Sequence, residues 1–142
     1  MTPDELERAN RAIDETFAAW MEAGKEGDVE TLISLVTEDA EFWTHGAPAI
    51  KGREAATAMF LAAFARYALE QRFESYERIV TDGWAFEGGL ERNTVTPRDG
   101  GEPIRYDQRA FMVLRREPDG RWRYARGMTN LEAGPPADGS GR

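Results

Sequence analysis

The 142-residue sequence predicts an α+β fold: three amino-terminal helices packed on a strongly curved, mostly antiparallel sheet, forming a cone with an internal pocket. Two helical segments precede one short strand, and a Gly/Pro-rich turn then restarts a third helix. Four β-type runs follow, separated by Asp82-Gly83, Gly100-Gly101 and Asp119-Gly120. Consecutive hairpins imply antiparallel pairing, and a sheet that curls beyond its helices leaves an apolar hollow.

Each element has a local reason. Thr2-Pro3-Asp4-Glu5 opens the first helix as a capping box with proline at the first helical position. Leu6, Ala9, Ile13, Phe17, Trp20 and Met21 recur at spacings of three and four and make one apolar stripe. Gly24 and Gly27 bracket its end, and Asp28 caps a second helix carrying Val29, Leu32, Ile33, Leu35 and Val36. A strand covers Ala40 to Thr44 before Gly46-Ala47-Pro48 interrupts it. The third helix runs from about Arg53 to Glu70, its alanine-rich faces suited to packing on more than one side. Strands then cover Arg72 to Val80, Trp84 to Thr96, Ile104 to Arg116 and Arg121 to Asn130. One domain over residues 1–131 and a disordered tail over 132–142 complete the expected organisation.

Composition narrows the function classes. The chain has no cysteine, so disulfides, thiolate zinc sites and thiol nucleophiles are excluded. Its net charge is −8, and residues 1–41 alone carry 12 acidic and 3 basic side chains. Such a balance repels phosphate backbones and anionic membranes. No apolar run reaches a membrane span, and the first residues lack a basic or apolar leader, which reads as a cytoplasmic protein. Gly83, Gly88 and Gly89 lack the following helix that a phosphate loop needs, and one histidine cannot build a histidine metal cluster. No metal or cofactor is expected.

The run Trp20, Gly27-Asp28, Leu32, Leu35, Glu38-Asp39-Ala40, Phe42, Gly46, Pro48 and Gly52-Arg53-Glu54-Ala55 resembles the nuclear transport factor 2-like superfamily. So do Asp82-Gly83-Trp84-Ala85, Thr96-Pro97, Leu114-Arg115-Arg116, Asp119-Gly120-Arg121-Trp122 and Ala125-Arg126 with Asn130-Leu131. The likeness covers about residues 5–132 and is nearest to a SnoaL-like, ketosteroid-isomerase-like branch that includes accessory proteins of enediyne antibiotic clusters. It implies a cystatin-like fold, but the scaffold hosts isomerases, cyclases, hydratases and non-catalytic binders alike. The ketosteroid isomerase roles are vacant. Its base position falls at or beside Thr44, its tyrosine near Phe17 or Trp20, and its oxyanion aspartate at or beside Met112. The acid of SnoaL-type cyclases, expected on the same strand as that aspartate, is missing too. Gly127-Met128 stands where the family carries an acidic residue after its arginine.

The remaining candidates are few. His45 follows the first strand, where the pocket opens, and its ordinary pKa near 6.5 suits proton transfer; a turn histidine bonded to backbone is the structural alternative. On the strand Trp84–Thr96, Ala85, Glu87, Gly89, Glu91 and Asn93 share one face. The family pattern turns that face inward, placing Glu87 and Glu91 in the pocket as acid and base; hydrophobicity favours the phase with Trp84, Phe86 and Leu90 inside. Both phases stay open on sequence alone. Alternatively the two acids pair with Arg109 or Arg126. Arg126 and Asn130 belong to the terminal signature, and Arg126 either binds a ligand carboxylate or enolate or neutralises Glu87 or Glu91. Arg109, Arg126 and Asn130 are all candidates for ligand contact. Trp20, Trp43, Phe60, Phe64, Tyr67, Met112 and Met128 are candidates for the walls of a cavity suited to a flat apolar molecule.

The reading is a binding or accessory protein for a hydrophobic, polyketide- or steroid-like small molecule. It would form a homodimer through the outer sheet face, where Leu90, Phe111 and Val113 could contribute. An isomerase, cyclase or hydratase using His45 with a pocket glutamate is the second hypothesis, and a non-catalytic association domain the third.

Overall fold

The computed structural model describes residues 1–131; the tail expected over 132–142 lies outside them. Helix α1 spans Pro3–Glu26 and begins with the expected capping box. Thr2 Oγ1 accepts from the Glu5 N–H at 3.1 Å, and the Thr2 N–H donates to Glu5 Oε2 at 2.9 Å. Gly27, at φ 69°, ends it in the left-handed conformation that glycine adopts without steric cost. Asp28 caps the short α2 (Val29–Ser34) by accepting from the Thr31 N–H at 3.1 Å.

Strand β1 (Val36–Trp43) leads through a turn to β2 (Ile50–Lys51) and α3 (Gly52–Arg66). Three long strands follow, β3 (Tyr67–Val80), β4 (Trp84–Pro97) and β5 (Ile104–Arg116), and then β6 (Trp122–Leu131). The sheet order is β2-β1-β6-β5-β4-β3. Every neighbouring pair is antiparallel except β1 with β6, which is parallel, so the sheet is mixed and does not close on itself. Tyr76 is an extra residue in β3 and Ala125 in β6. Such bulges bend and twist a sheet, which wraps it around the helices.

Two boundaries and one packing expectation differ from the sequence reading. Residues 67–70, expected at the end of the third helix, already pair with β4, from Tyr67 opposite Pro97 to Glu70 opposite Thr94. Thirteen cross-strand partners outweigh the modest helix preference of Ala-Leu-Glu. β1 begins at Val36, which the apolar pattern assigns to the second helix, because Val36 pairs with Tyr124 of β6. The alanine-rich faces of α3 do not all pack: only Ala56 is fully buried, and Leu61 is exposed.

The core lies between α1 and the inner sheet face. Ile13 and Phe17 of α1 meet Val36, Ala85, Met112, Leu114, Trp122 and Tyr124. Phe17 stacks on Phe73 at 4.7 Å between centroids and meets Tyr124 edge-on at 5.2 Å. Thr16, buried in the same seam, donates from Oγ1 to the Trp122 carbonyl at 2.8 Å.

Candidate functional site

Register places two buried acids on the inner face of β4. Ala85, Glu87, Glu91 and Asn93 are buried there, whereas Trp84 and Phe86 stand on the outer face. The phase that hydrophobicity favours is therefore reversed: both sheet faces carry apolar residues, and the inner one lies close under α1. Gly89 belongs to this crowded face, where an added Cβ would stand 2.3 Å from the Glu74 carbonyl oxygen.

Glu87 is 0% exposed and answered within the fold. The Arg78 guanidinium pairs with its Oε2, Ser75 Oγ donates to Oε1 at 2.6 Å, and Arg78 continues to Asp14 at 2.7 Å. This network ties β3 and β4 to α1 beneath the helix and leaves Glu87 outside the cleft described next.

Beyond the end of that network the sheet and α3 enclose a cleft of about 130 Å³. Trp20 of α1, Phe42 and Thr44 at the end of β1, and Met59 and Phe60 of α3 form one side. Gln71, Glu91, Gln108, Met112, Gly127 and Thr129 form the sheet side. Trp20 organises the aromatic wall, meeting Phe60 edge-on at 5.6 Å and Phe42 at 6.3 Å. Gly127 keeps the cleft open, since a Cβ there would stand 2.9 Å from Phe42 Cδ1 and 3.0 Å from Met112 Cε.

Glu91, 8% exposed, is the one ionisable side chain among these lining residues. Gln108, its cross-strand neighbour, donates from Nε2 to Oε1 at 2.6 Å. Gln71 donates to Asn93 Oδ1 at 3.0 Å. Asn93 Nδ2 is buried without a well-formed hydrogen bond, yet lies near enough to the Glu91 carboxyl to favour its charged form. Burial outweighs both amides and pushes the Glu91 carboxyl above its usual 4.5. Charge on Glu91 in turn adds to the upward push that burial gives the Tyr106 and Tyr124 hydroxyls.

The sign of that shift sets a pH dependence. Below the ordinary value of 4.5 the acid is protonated in folded and unfolded chains alike. As pH rises toward the raised native value, the unfolded chain releases a proton that the folded one keeps, and stability falls. Glu91→Gln is therefore expected to leave the melting temperature unchanged below pH 4.5 and to raise it progressively as pH climbs above that value. A parallel pair of melting-temperature profiles against pH would refute the assignment.

The other sequence candidates separate from the cleft. Trp43 and Met128 are 49% and 43% exposed and sit as cross-strand neighbours on the outer face, because each follows a cleft residue by one position. Arg109 donates to Asn130 at 2.8 Å on that same face and reaches neither acid. Arg126 donates to the carbonyl oxygens of Asp39 and Ala125 and so braces β1 against β6. Phe64 stacks behind Phe60 at 6.0 Å, and Tyr67 lies beside Arg66 at the start of β3. His45 is exposed in the turn after Thr44 and makes no side-chain hydrogen bond among the described residues. Glu91, Trp20, Phe60 and Met112 do come together. Gln71, Gln108, Gly127 and Thr129 are lining residues that sequence reasoning does not find; the only signal for them is a pair of glutamines within long alternating strands.

Among the described residues no group of three or more histidine or acidic side chains is arranged to hold a metal, and no helix is long and apolar enough to cross a membrane. A family model for the SnoaL-like domain matches residues 17–125, from the middle of α1 into β6. This chain is a SnoaL-like protein. The fold agrees: a conserved protein from Planctomyces limnophilus superposes with a TM-score of 0.82 at 26% identity, covering 89% of this chain and 99% of its own. A ketosteroid isomerase-like protein from Erwinia carotovora gives 0.77 at 22% identity over 87% and 96%. The hexachlorocyclohexane dehydrochlorinase LinA-type3 from Novosphingobium barchaimii gives 0.81 at 16% identity over 93% and 92%. No curated protein matches this SnoaL-like chain by sequence.

Proposed function

We propose that this SnoaL-like protein binds a small hydrophobic molecule in the cleft, with Glu91 as its polar contact, as an accessory or tailoring protein of small-molecule metabolism, polyketide chemistry included. The observation that carries the reading is a carboxyl buried among Trp20, Phe60 and Met112 with carboxamides as its nearest polar partners. Apolar walls around one or two polar groups are the usual form of a ligand site. The volume favours a single ring: a cavity of about 150 Å³ holds benzene, and the cleft is about 130 Å³. A steroid- or polyketide-sized ligand would leave most of its length outside. No cofactor is invoked, and a cytoplasmic location fits a cysteine-free chain.

A thermal-shift screen with single-ring aromatic compounds tests this. A ligand bound only by the native state stabilises it by about 2.7 kcal/mol at about 100 times its Kd. The shift should shrink in Glu91→Gln and persist in His45→Gln; a shift lost only in His45→Gln would move the site to the turn.

A second reading is proton-transfer catalysis, in keeping with the isomerase-like and dehydrochlorinase neighbours. The upward-shifted Glu91 carboxyl favours it, since a buried acid tuned toward neutrality is suited to acid–base work. His45 would serve only as a partner at the rim. A pH–rate profile that loses its carboxyl limb in Glu91→Gln would support this reading.

Homodimer formation through the outer face belongs to the same proposal. Phe111 is 45% exposed, its ring lies against Gly88, and Phe86, Met128 and Trp43 extend the apolar surface across four strands. Surfaces of this kind mark association sites. Sedimentation velocity should show a dimer that Phe111→Glu converts to monomer; an unchanged mass would exclude this face.

A further inference from the structure

The two inner-face glutamates of β4 are solvated by the fold in opposite ways. Glu87 receives a guanidinium, with Arg78 paired to its carboxylate and Ser75 donating to the other oxygen. Glu91 receives only neutral groups, Gln108 at 2.6 Å and the nearby Asn93 amide. Its Oε2 makes no hydrogen bond among the described residues, and the side chain faces the cleft. No lysine, arginine or histidine lines that cleft. The titratable groups near enough to feel the charge on Glu91 are Tyr106 of β5 and Tyr124 of β6, both neutral.

A buried carboxylate without a cation is costly, and the deficit is removed by whatever brings a positive charge to it. The opposite wall is suited to that charge. Trp20 lies within reach of both Phe42 and Phe60, and ring faces attract ammonium groups. The chain's net charge of −8 draws cations toward the surface and repels anions.

The geometry points to a ligand class: a small arylalkylamine, its protonated nitrogen seated between Glu91 Oε2 and the Trp20–Phe42–Phe60 wall, its ring filling the cleft. This rests on the cleft being a ligand site, as proposed above, and adds the charge of the ligand. Neutral aromatics would bind by burial alone; aromatic acids would be rejected by the uncompensated carboxylate.

Three size-matched probes separate these cases by calorimetry on the full chain: phenethylamine, phenethyl alcohol and phenylacetate. A hydrogen bond to a charged group contributes about 1.5–3 kcal/mol, so the amine should bind about 10- to 100-fold more tightly than the alcohol. Phenylacetate should be the weakest. Glu91→Gln, close to isosteric, should bring amine and alcohol to within about threefold of each other. In wild type, amine binding near the Glu91 pKa should release protons, read as a dependence of the apparent enthalpy on the buffer's ionisation heat. That readout needs no variant, so it stands even if Glu91→Gln folds poorly. Equal affinity for amine and alcohol would overturn the amine assignment and leave the cleft as a neutral-ligand site. Tightest binding of phenylacetate would overturn it as well. Failure of all three probes to bind would overturn both this inference and the cleft as a ligand site.

Discussion

Replacing Arg78 with methionine should cost about 3–5 kcal/mol of folding stability, because it strands a buried carboxylate. Glu87 is fully buried, and the guanidinium is its only cationic partner among the described residues. Arg78 also donates through Nη1 to the Asn10 carbonyl at 3.1 Å and through Nη2 to Asp14 at 2.7 Å. One side chain thus holds β3, β4 and α1 together. Asp14 is largely exposed, so Asp14→Asn should cost under about 1 kcal/mol, the usual worth of a solvent-screened pair. The double variant Arg78→Met with Glu87→Leu should recover most of the loss, since the uncompensated charge is gone. Urea unfolding of the four chains measures this. A loss in Arg78→Met no greater than in Asp14→Asn would mean that the buried pair contributes nothing beyond its surface arm.

Filling the cleft from the sheet side should weaken ligand binding without touching a polar group. Gly127 stands between Phe42 and Met112 in register, and its missing side chain is the space between them. A Cβ there comes within 3.1 Å of the Met112 sulfur as well as close to Phe42, and the methyls of valine would project into the same gap. Gly127→Val should lower affinity for any cleft ligand by more than about tenfold. It should also cost about 1–3 kcal/mol as overpacking. Thermal shifts of the variant with and without ligand separate the two effects. Ligand affinity that survives this substitution would place the ligand elsewhere, and the outer-face groove of about 340 Å³ beside Phe111 would be the next candidate.

Short-range chemistry is legible in the amino-acid sequence. Thr2-Pro3-Asp4-Glu5 caps a helix through contacts three residues apart, Gly27 ends it, and Asp28 starts the next one. Asp82-Gly83 and Asp119-Gly120 turn hairpins at the expected places, with Gly83 and Gly120 at positive φ. Those signals need only neighbours in sequence, and together with helix periodicity they lead to the α+β order.

What tertiary structure decided was which side of each strand faces α1. A period-two pattern reveals the buried face only when the other face is polar, and here Trp84 and Phe86 look more buriable than Glu87 and Glu91. The inward phase is held by partners far away in the chain: Arg78, paired with Glu87, reaching back 68 residues to Asn10, and Thr16 bonding Trp122 across 106. The same long-range pairing moved Trp43 and Met128 outward, drew residues 67–70 from helix into strand, and paired Arg109 with Asn130 instead of with an acid. Sequence determined that two glutamates share a face. Only the fold determined that one of them meets an arginine and the other does not, because that difference depends on where helix and sheet part.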